Sequence, residues 1–402
     1  VALRESDRIV VVGSSLAGLR TIEALRRHGH RGEIVALSAE AHEPYDRPPL
    51  SKQYLKGEWG PDRLSLRRQG LDDLEVDWRL GVSATALDAP RRAVSLSDGG
   101  RIEYGGLVIA TGARPRTLAA AEGLAGIHTL RSVDDATALH EALGRGGRLV
   151  VVGAGFIGME VAASARELGL EVAVVEALET PLLRGVGRTI GEVVAARHRA
   201  HGVDVRCGVG VASFGGRGRV ESVELADGTV LPADAVVVGI GVVPEVDWLE
   251  DSGLDVADGV LCDATGATAL DDVVAVGDVA RWHWPRAGAP RRFEHWTSAV
   301  EQADVAAARL LGGPGSVPDW DPVPYVWSDQ FEMRIAIAGE VGDADALHVT
   351  HGTLEDDRFI ALFGRAGRLV AAVAIRRPRP LNVCRELLEK GASMEEAVDE
   401  VG

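Results

Sequence analysis

The chain has 402 residues, 46% of them hydrophobic, and its 60 acidic against 43 basic residues leave a net charge of −17. That length calls for two or three domains rather than a single core, and the acidity argues against nucleic acid or an anionic membrane surface as partner. No apolar run approaches the roughly 20 residues of a membrane helix. Three cysteines, Cys207, Cys262 and Cys384, stand too far apart for a CxxC pair or a cysteine metal cage, so no resident metal is expected. Residues 1–8 are charged and lead straight into a strand, unlike a secretion signal, and a reducing cytoplasm is the expected compartment.

Taken in order, the chain opens with a predicted strand at 9–12, a helix at 16–28 and a strand at 34–38. A strand-like segment follows at 107–112. A second strand–helix–strand unit is predicted at 149–152, 158–168 and 172–176, with further buried strands at 235–238 and 273–276. This alternation calls for a parallel α/β sheet in each unit. A Gly/Pro-rich stretch, 311–324, separates these from a tail of alternating segments read as antiparallel strands, closed by helices at 382–388 and 394–401.

Both strand–helix units carry a glycine fingerprint at the turn. The first reads Gly13-Ser14-Ser15-Leu16-Ala17-Gly18 and the second Gly153-Ala154-Gly155-Phe156-Ile157-Gly158. A tight turn into a helix N-terminus suits a pyrophosphate, because free N–H groups and the positive dipole end meet there. One such site binds one dinucleotide; two in one polypeptide suggest two cofactors brought face to face, which points to electron transfer. Glu176 closes the strand after the second fingerprint, about 20 residues on, where a carboxylate accepts the ribose hydroxyls and repels a 2′-phosphate. NADH is therefore expected over NADPH. The first fingerprint departs from the rule, with Ser15 at the middle glycine and Ser38 at the strand end, so Glu40 is the candidate ribose ligand.

Five further stretches have no role in a plain two-nucleotide reading. They are Glu43-Pro44-Tyr45-Asp46-Arg47-Pro48-Pro49-Leu50-Ser51-Lys52, Ala110-Thr111-Gly112-Ala113-Arg114-Pro115, Gly239-Ile240-Gly241-Val242-Val243-Pro244, Ala275-Val276-Gly277-Asp278-Val279 and Pro324-Tyr325-Val326-Trp327-Ser328-Asp329-Gln330. In this order, over nearly the whole chain, they resemble the FAD-dependent NADH:ferredoxin reductases that serve P450 and aromatic-ring dioxygenase systems. Rubredoxin reductases and apoptosis-inducing-factor-like proteins are close relatives of that group.

The resemblance implies an α/β protein with two Rossmann-like dinucleotide-binding domains, for FAD and NAD, and a C-terminal α+β interface domain. The implied boundaries are 1–114 with 246–318 for FAD, 115–245 for NAD, and 319–402 for the interface domain. It implies that Gly13, Ser15, Gly18, Glu40, Arg47, Lys52, Ala110, Thr111, Gly112, Arg114, Asp278, Glu294, Trp296 and Trp327 surround FAD. Gly153, Gly155, Ile157, Gly158, Glu160, Glu176 and Gly241 are the matching NAD set. Lys52 and Glu160 are the candidate catalytic pair, orienting nicotinamide against flavin, with an ordinary salt bridge as the plainer reading. Trp327, grouped with Trp320 and Tyr325, reads equally as domain core or as a shield at the flavin edge.

Hydride transfer between stacked rings needs orientation and no separate acid or base, and the flavin converts two-electron to one-electron transfer. The implied acceptor is a [2Fe–2S] ferredoxin that feeds an oxygenase, the cluster being the partner's because three scattered cysteines cannot ligate one. Arg67, Arg68, Arg376, Arg377 and Arg379 are candidate docking charges. An NADH oxidase, a quinone or rubredoxin reductase, and a redox-sensing FAD/NADH-binding protein remain alternatives. Disulfide-reductase chemistry is rejected, since His42 and the stretch 45–52 carry no cysteine. No feature sets the oligomeric state.

Overall fold

The computed structural model describes residue 4 and residues 7–402 except 68 and 357. The docking candidate Arg68 and most of the leading segment 1–8 lie outside the described residues. Contacts divide the chain into two units, one of Val1–Asp46, Leu64–Arg114 and Val243–Pro322, the other of Arg47–Arg63, Pro115–Val242 and Val323–Gly402.

The first unit is built on a five-stranded parallel sheet in the order Val273–Ala275, Gly106–Ile109, Ile9–Val12, Ile34–Ser38, Val76–Leu80. Its central strand, Ile-Val-Val-Val, is buried throughout, as a parallel strand covered on both faces must be. The helices Leu16–Arg27 and Trp296–Gly312 pack on one another beside it. The second of these runs into the start of the Gly/Pro-rich stretch, because Gly313 rather than Leu311 ends it. Trp320 meets Trp282 edge-on at 5.3 Å and Phe293 at 5.5 Å in this unit's core. Tyr325 and Trp327 belong to the second unit.

The second unit holds a parallel sheet in the order Asp204–Cys207, Glu171–Glu176, Arg148–Val152, Ala235–Val238, Ile127–His128. Helices Phe156–Glu167 and Leu183–Ala200 follow two of its strands. The tail forms a five-stranded antiparallel sheet, Tyr325–Gln330, Met333–Gly339, Arg368–Ile375, Phe359–Arg365, Ala346–Thr350. One face of that sheet shares a core with the helices, through Ile335, Ile337 and Phe359 against Met159, Val161 and Ile190. The other face is covered by Pro378–Lys390 and Met394–Val401, through Leu381, Cys384 and Ala397. The segment Arg47–Arg63 is anchored in this unit by the fully buried Leu55.

Candidate functional site

In the first unit the candidate residues gather where the parallel strands end. Gly13 follows Ile9–Val12, Glu40 follows Ile34–Ser38, Ala110, Thr111 and Gly112 follow Gly106–Ile109, and Asp278 follows Val273–Ala275. Open parallel sheets bind ligands in the crevice outside these carboxyl ends. Gly13 has φ +100°, and a Cβ on it would lie 2.2 Å from the Ala110 carbonyl oxygen; one on Gly18 would lie 1.9 Å from that of Gly13. Neither position tolerates a side chain. Ser15 is the N-cap of Leu16–Arg27, whose first turn holds no acidic residue. The first-turn N–H groups have no helical acceptor, so this end attracts an anion with no carboxylate competing.

The surrounding residues are already fixed. Tyr45 donates its hydroxyl hydrogen to Glu40. Trp296, first residue of its helix, donates from Nε1 to Asp46 at 2.9 Å. Gln302 accepts from the Gly277 N–H at 2.9 Å, and the Asp278 carbonyl accepts from Arg292, which also pairs with Glu294. Thr111 donates to the Glu245 carbonyl at 2.7 Å, while Arg114 pairs with Glu245 at 2.8 Å and Asp247 at 3.1 Å.

The second unit repeats the cradle. Gly153 has φ +101° and would set a Cβ 2.3 Å from the Gly239 carbonyl oxygen; one on Gly158 would lie 2.1 Å from that of Gly153. Gly155, the N-cap of Phe156–Glu167, has nothing within 4 Å of its Cβ position, and no acidic residue stands in that first turn. Open space over the middle glycine, between two glycines pressed against backbone, fits a diphosphate. Glu176 accepts from the N–H groups of Ala154 at 2.7 Å and Leu178 at 2.9 Å, which aims its carboxylate along the loop with lone pairs to spare for ribose hydroxyls. Gly241, at φ +100°, follows the next strand over, and Ile157 stands 46% exposed on the helix's first turn.

On that same helix Glu160 is buried, and it meets Lys52 at 2.7 Å, the two side chains 4% and 12% exposed. Ser51 donates to the same carboxylate oxygen at 2.5 Å, Ser328 to the other at 2.7 Å, and Ser164 donates to the Ser51 carbonyl. A charge taken out of water this far is stable only with its hydrogen bonds satisfied, and Lys52, Ser51 and Ser328 satisfy that of Glu160. Sequence reading named the ion pair and missed the two serines; their only signal was a small hydroxyl residue beside Lys52 and beside Trp327. Arg47 donates to the Arg131 carbonyl at 2.5 Å. Trp327 is half-buried and stacks with Tyr325 at 6.2 Å against the core beneath the C-terminal helices, while Ser328 serves the core on the sheet's other face.

Two expectations meet physical limits. Arg67 is only 8% exposed and is held by Asp73 at 2.5 Å and Glu23 at 2.8 Å, so it is a structural cation rather than a docking charge. Arg376 and Arg379 are exposed, whereas Arg377 is half-buried and donates to the His351 carbonyl. The three cysteines are free, and burial pushes all three thiols up, Cys384 to about 11. None is therefore a ready thiolate. Among the described residues no acidic, histidine or cysteine cluster is arranged to hold a metal, and no helix is long and apolar enough to cross a membrane.

Residues 7–303 match the pyridine nucleotide-disulphide oxidoreductase family and residues 325–399 the reductase C-terminal family. The chain is 37% identical to rhodocoxin reductase of Rhodococcus erythropolis, over 97% of its own length and 92% of that protein's. It is 38% identical to the ferredoxin reductase component of chlorobenzene dioxygenase from a Cupriavidus species, covering 98% and 95%. Among solved structures it superposes on the covalent putidaredoxin reductase–putidaredoxin complex with a TM-score of 0.91 at 33% identity, over 96% of this chain and 93% of that one. A ferredoxin reductase from Rhodopseudomonas palustris gives 0.92 at 34% identity, over 98% and 97%. With two glycine cradles at the ends of two parallel sheets and these matches along its length, the chain belongs to the pyridine nucleotide-disulphide oxidoreductase family, in the branch that carries a reductase C-terminal domain.

Proposed function

We propose that the chain is an FAD-dependent NADH:ferredoxin oxidoreductase whose acceptor, a [2Fe–2S] ferredoxin, supplies a P450 or a ring-hydroxylating dioxygenase. The FAD domain is assigned to 1–114 with 246–318, the NAD domain to 115–245 and the interface domain to 319–402. The compartment is the cytoplasm, in keeping with three free cysteines.

FAD, when bound, supplies hydride acceptance from NADH and release of electrons one at a time. Every other contribution is the chain's own. Gly13, Ser15 and Gly18 seat one pyrophosphate at the helix that follows them, with Glu40 at the adenosine ribose and Asp278 toward the ribityl end. Arg47, Ala110, Thr111, Gly112, Arg114, Glu294, Trp296 and Trp327 complete that set. Gly153, Gly155 and Gly158 seat the second pyrophosphate, with Ile157 and Gly241 along the nicotinamide half. Glu176 takes the ribose hydroxyls and repels a 2′-phosphate. Lys52 and Glu160 are assigned to the reacting rings: Glu160 holds the ammonium of Lys52 in place, so positive charge stands ready where negative charge develops.

The observation that carries this reading is the buried Lys52–Glu160 pair, set in the second turn of the helix that leaves the second cradle. A structural salt bridge needs neither that position nor three donors on one carboxylate. The test is a comparison of acceptors under limiting NADH. Ferredoxin should be reduced far faster than a soluble quinone or oxygen; faster turnover with quinone or oxygen would overturn the assignment of the acceptor.

A further inference from the structure

The Glu160 carboxylate ends a string of hydrogen bonds that runs back into the second unit's core. Ser328 donates to its Oε1 at 2.7 Å, Gln330 Nε2 donates to Ser328 Oγ at 3.0 Å, and His198 Nε2 lies 2.9 Å from Gln330 Oε1. Ser328, Gln330 and His198 are all 0% exposed, and Glu160 only 3%. Alternation along Tyr325–Gln330 puts Ser328 and Gln330 on the same face of the strand. The helix Leu183–Ala200 supplies His198, and Phe331 closes over its ring edge-on at 5.0 Å.

The direction of each bond follows from chemistry. A carboxylate and an amide oxygen only accept, so Ser328 must donate to Glu160 and His198 must carry its proton on Nε2. The imidazole is neutral, because burial pulls it down to about 4. A neutral ring has two tautomers, and the other one would leave Nε2 as an acceptor. Gln330 would then turn its amide over, offer its oxygen to Ser328, and draw the hydroxyl proton away from Glu160. No described residue pairs with His198 Nδ1, so the string ends there and serves orientation rather than proton transfer.

We propose that His198 is a positioning residue for the oxidoreductase reaction: its Nε2 proton fixes the Gln330 amide, which fixes the Ser328 hydroxyl on Glu160, which holds Lys52. This rests on the reading given under Proposed function for Lys52 and Glu160, and it adds a residue far along the chain from both.

The first test is nitrogen NMR of the protein labelled at histidine, with His198→Gln as the assignment control. The proton should sit on Nε2; a proton on Nδ1 overturns the proposal, whatever the protein catalyses. The second compares His198→Leu, which has no donor, with His198→Gln, whose amide restores one at about the same reach. At saturating NADH, His198→Leu should slow flavin reduction roughly five- to tenfold, as loss of support to a charged group implies, with KM for NADH little changed. His198→Gln should recover the rate to within about twofold. Equal losses in both variants, or a loss confined to KM, contradict the proposal. Gln330→Met breaks the same string without touching the helix, and should reproduce the His198→Leu rate if that variant folds poorly. A protein that takes up no FAD while the tautomer stands would sink the functional reading instead.

Discussion

Replacing Lys52 by methionine isolates the energetics of the ion pair. The ammonium stands 2.7 Å from Glu160, and the two side chains are 12% and 4% exposed, so neither water nor salt screens the pair much. Removing one partner of such a pair costs about 3–5 kcal/mol, mostly the penalty of a stranded charge. Here Glu160 keeps two hydroxyl donors, at 2.5 and 2.7 Å, which places the expected loss at the lower end, about 3 kcal/mol. Adding Glu160→Gln removes the stranded charge, and the double variant should lose only about 1 kcal/mol. Urea denaturation at neutral pH, followed by circular dichroism and fluorescence at one fixed FAD concentration, measures both. A loss below about 1 kcal/mol for Lys52→Met, or a double variant equal to the sum of the singles, would refute the argument that this pair is desolvated and mutually dependent.

Three further outcomes follow from single positions. His198 has a folded pKa of about 4 against an ordinary 6.5; a depressed value means the unfolded chain takes the proton first. Its contribution is complete above pH 6.5 and is lost as pH falls towards 4, about 3 kcal/mol in all. The stability gap between wild type and His198→Gln should narrow by that amount across this window; parallel pH profiles would contradict it. Gly13→Ala forces a methyl 2.2 Å from the Ala110 carbonyl oxygen at φ +100°, so FAD affinity measured by fluorescence quenching should fall roughly tenfold or more; unchanged affinity would remove Gly13 from the cradle. Glu176→Gln lifts the repulsion of a 2′-phosphate, and steady-state kinetics should show the NADH preference shrinking about tenfold. An unmodified protein that already favours NADPH would contradict the role given to that carboxylate.

The two cradles were legible because their demands are local. Gly13 and Gly153 need positive φ, Gly18 and Gly158 need the absence of a Cβ, and each requirement falls on a residue within one turn of the strand it serves. The burial of Ile9–Val12 and of 149–152 was equally plain in their apolar runs. The hydroxyls around Glu160 were not, since Ser51 and Ser328 lie 109 and 168 positions from it and meet it only through tertiary packing. His198 looks like any histidine on an amphipathic helix until the strand carrying Gln330 is laid beside it. Proximity in sequence also misled: Trp320 and Trp327 sit seven residues apart, yet pack into different cores. Arg67 reads as a surface charge from its polar neighbourhood, and only the fold shows it held by two carboxylates.

Electron flow from NADH through flavin to ferredoxin is tested most directly by anaerobic mixing of the purified protein with NADH and then with oxidised ferredoxin, followed by flavin absorbance. Bound FAD should bleach on NADH and regain its colour as about two ferredoxins are reduced per NADH consumed. A protein without bound flavin, or a flavin whose colour NADH leaves unchanged, would contradict it.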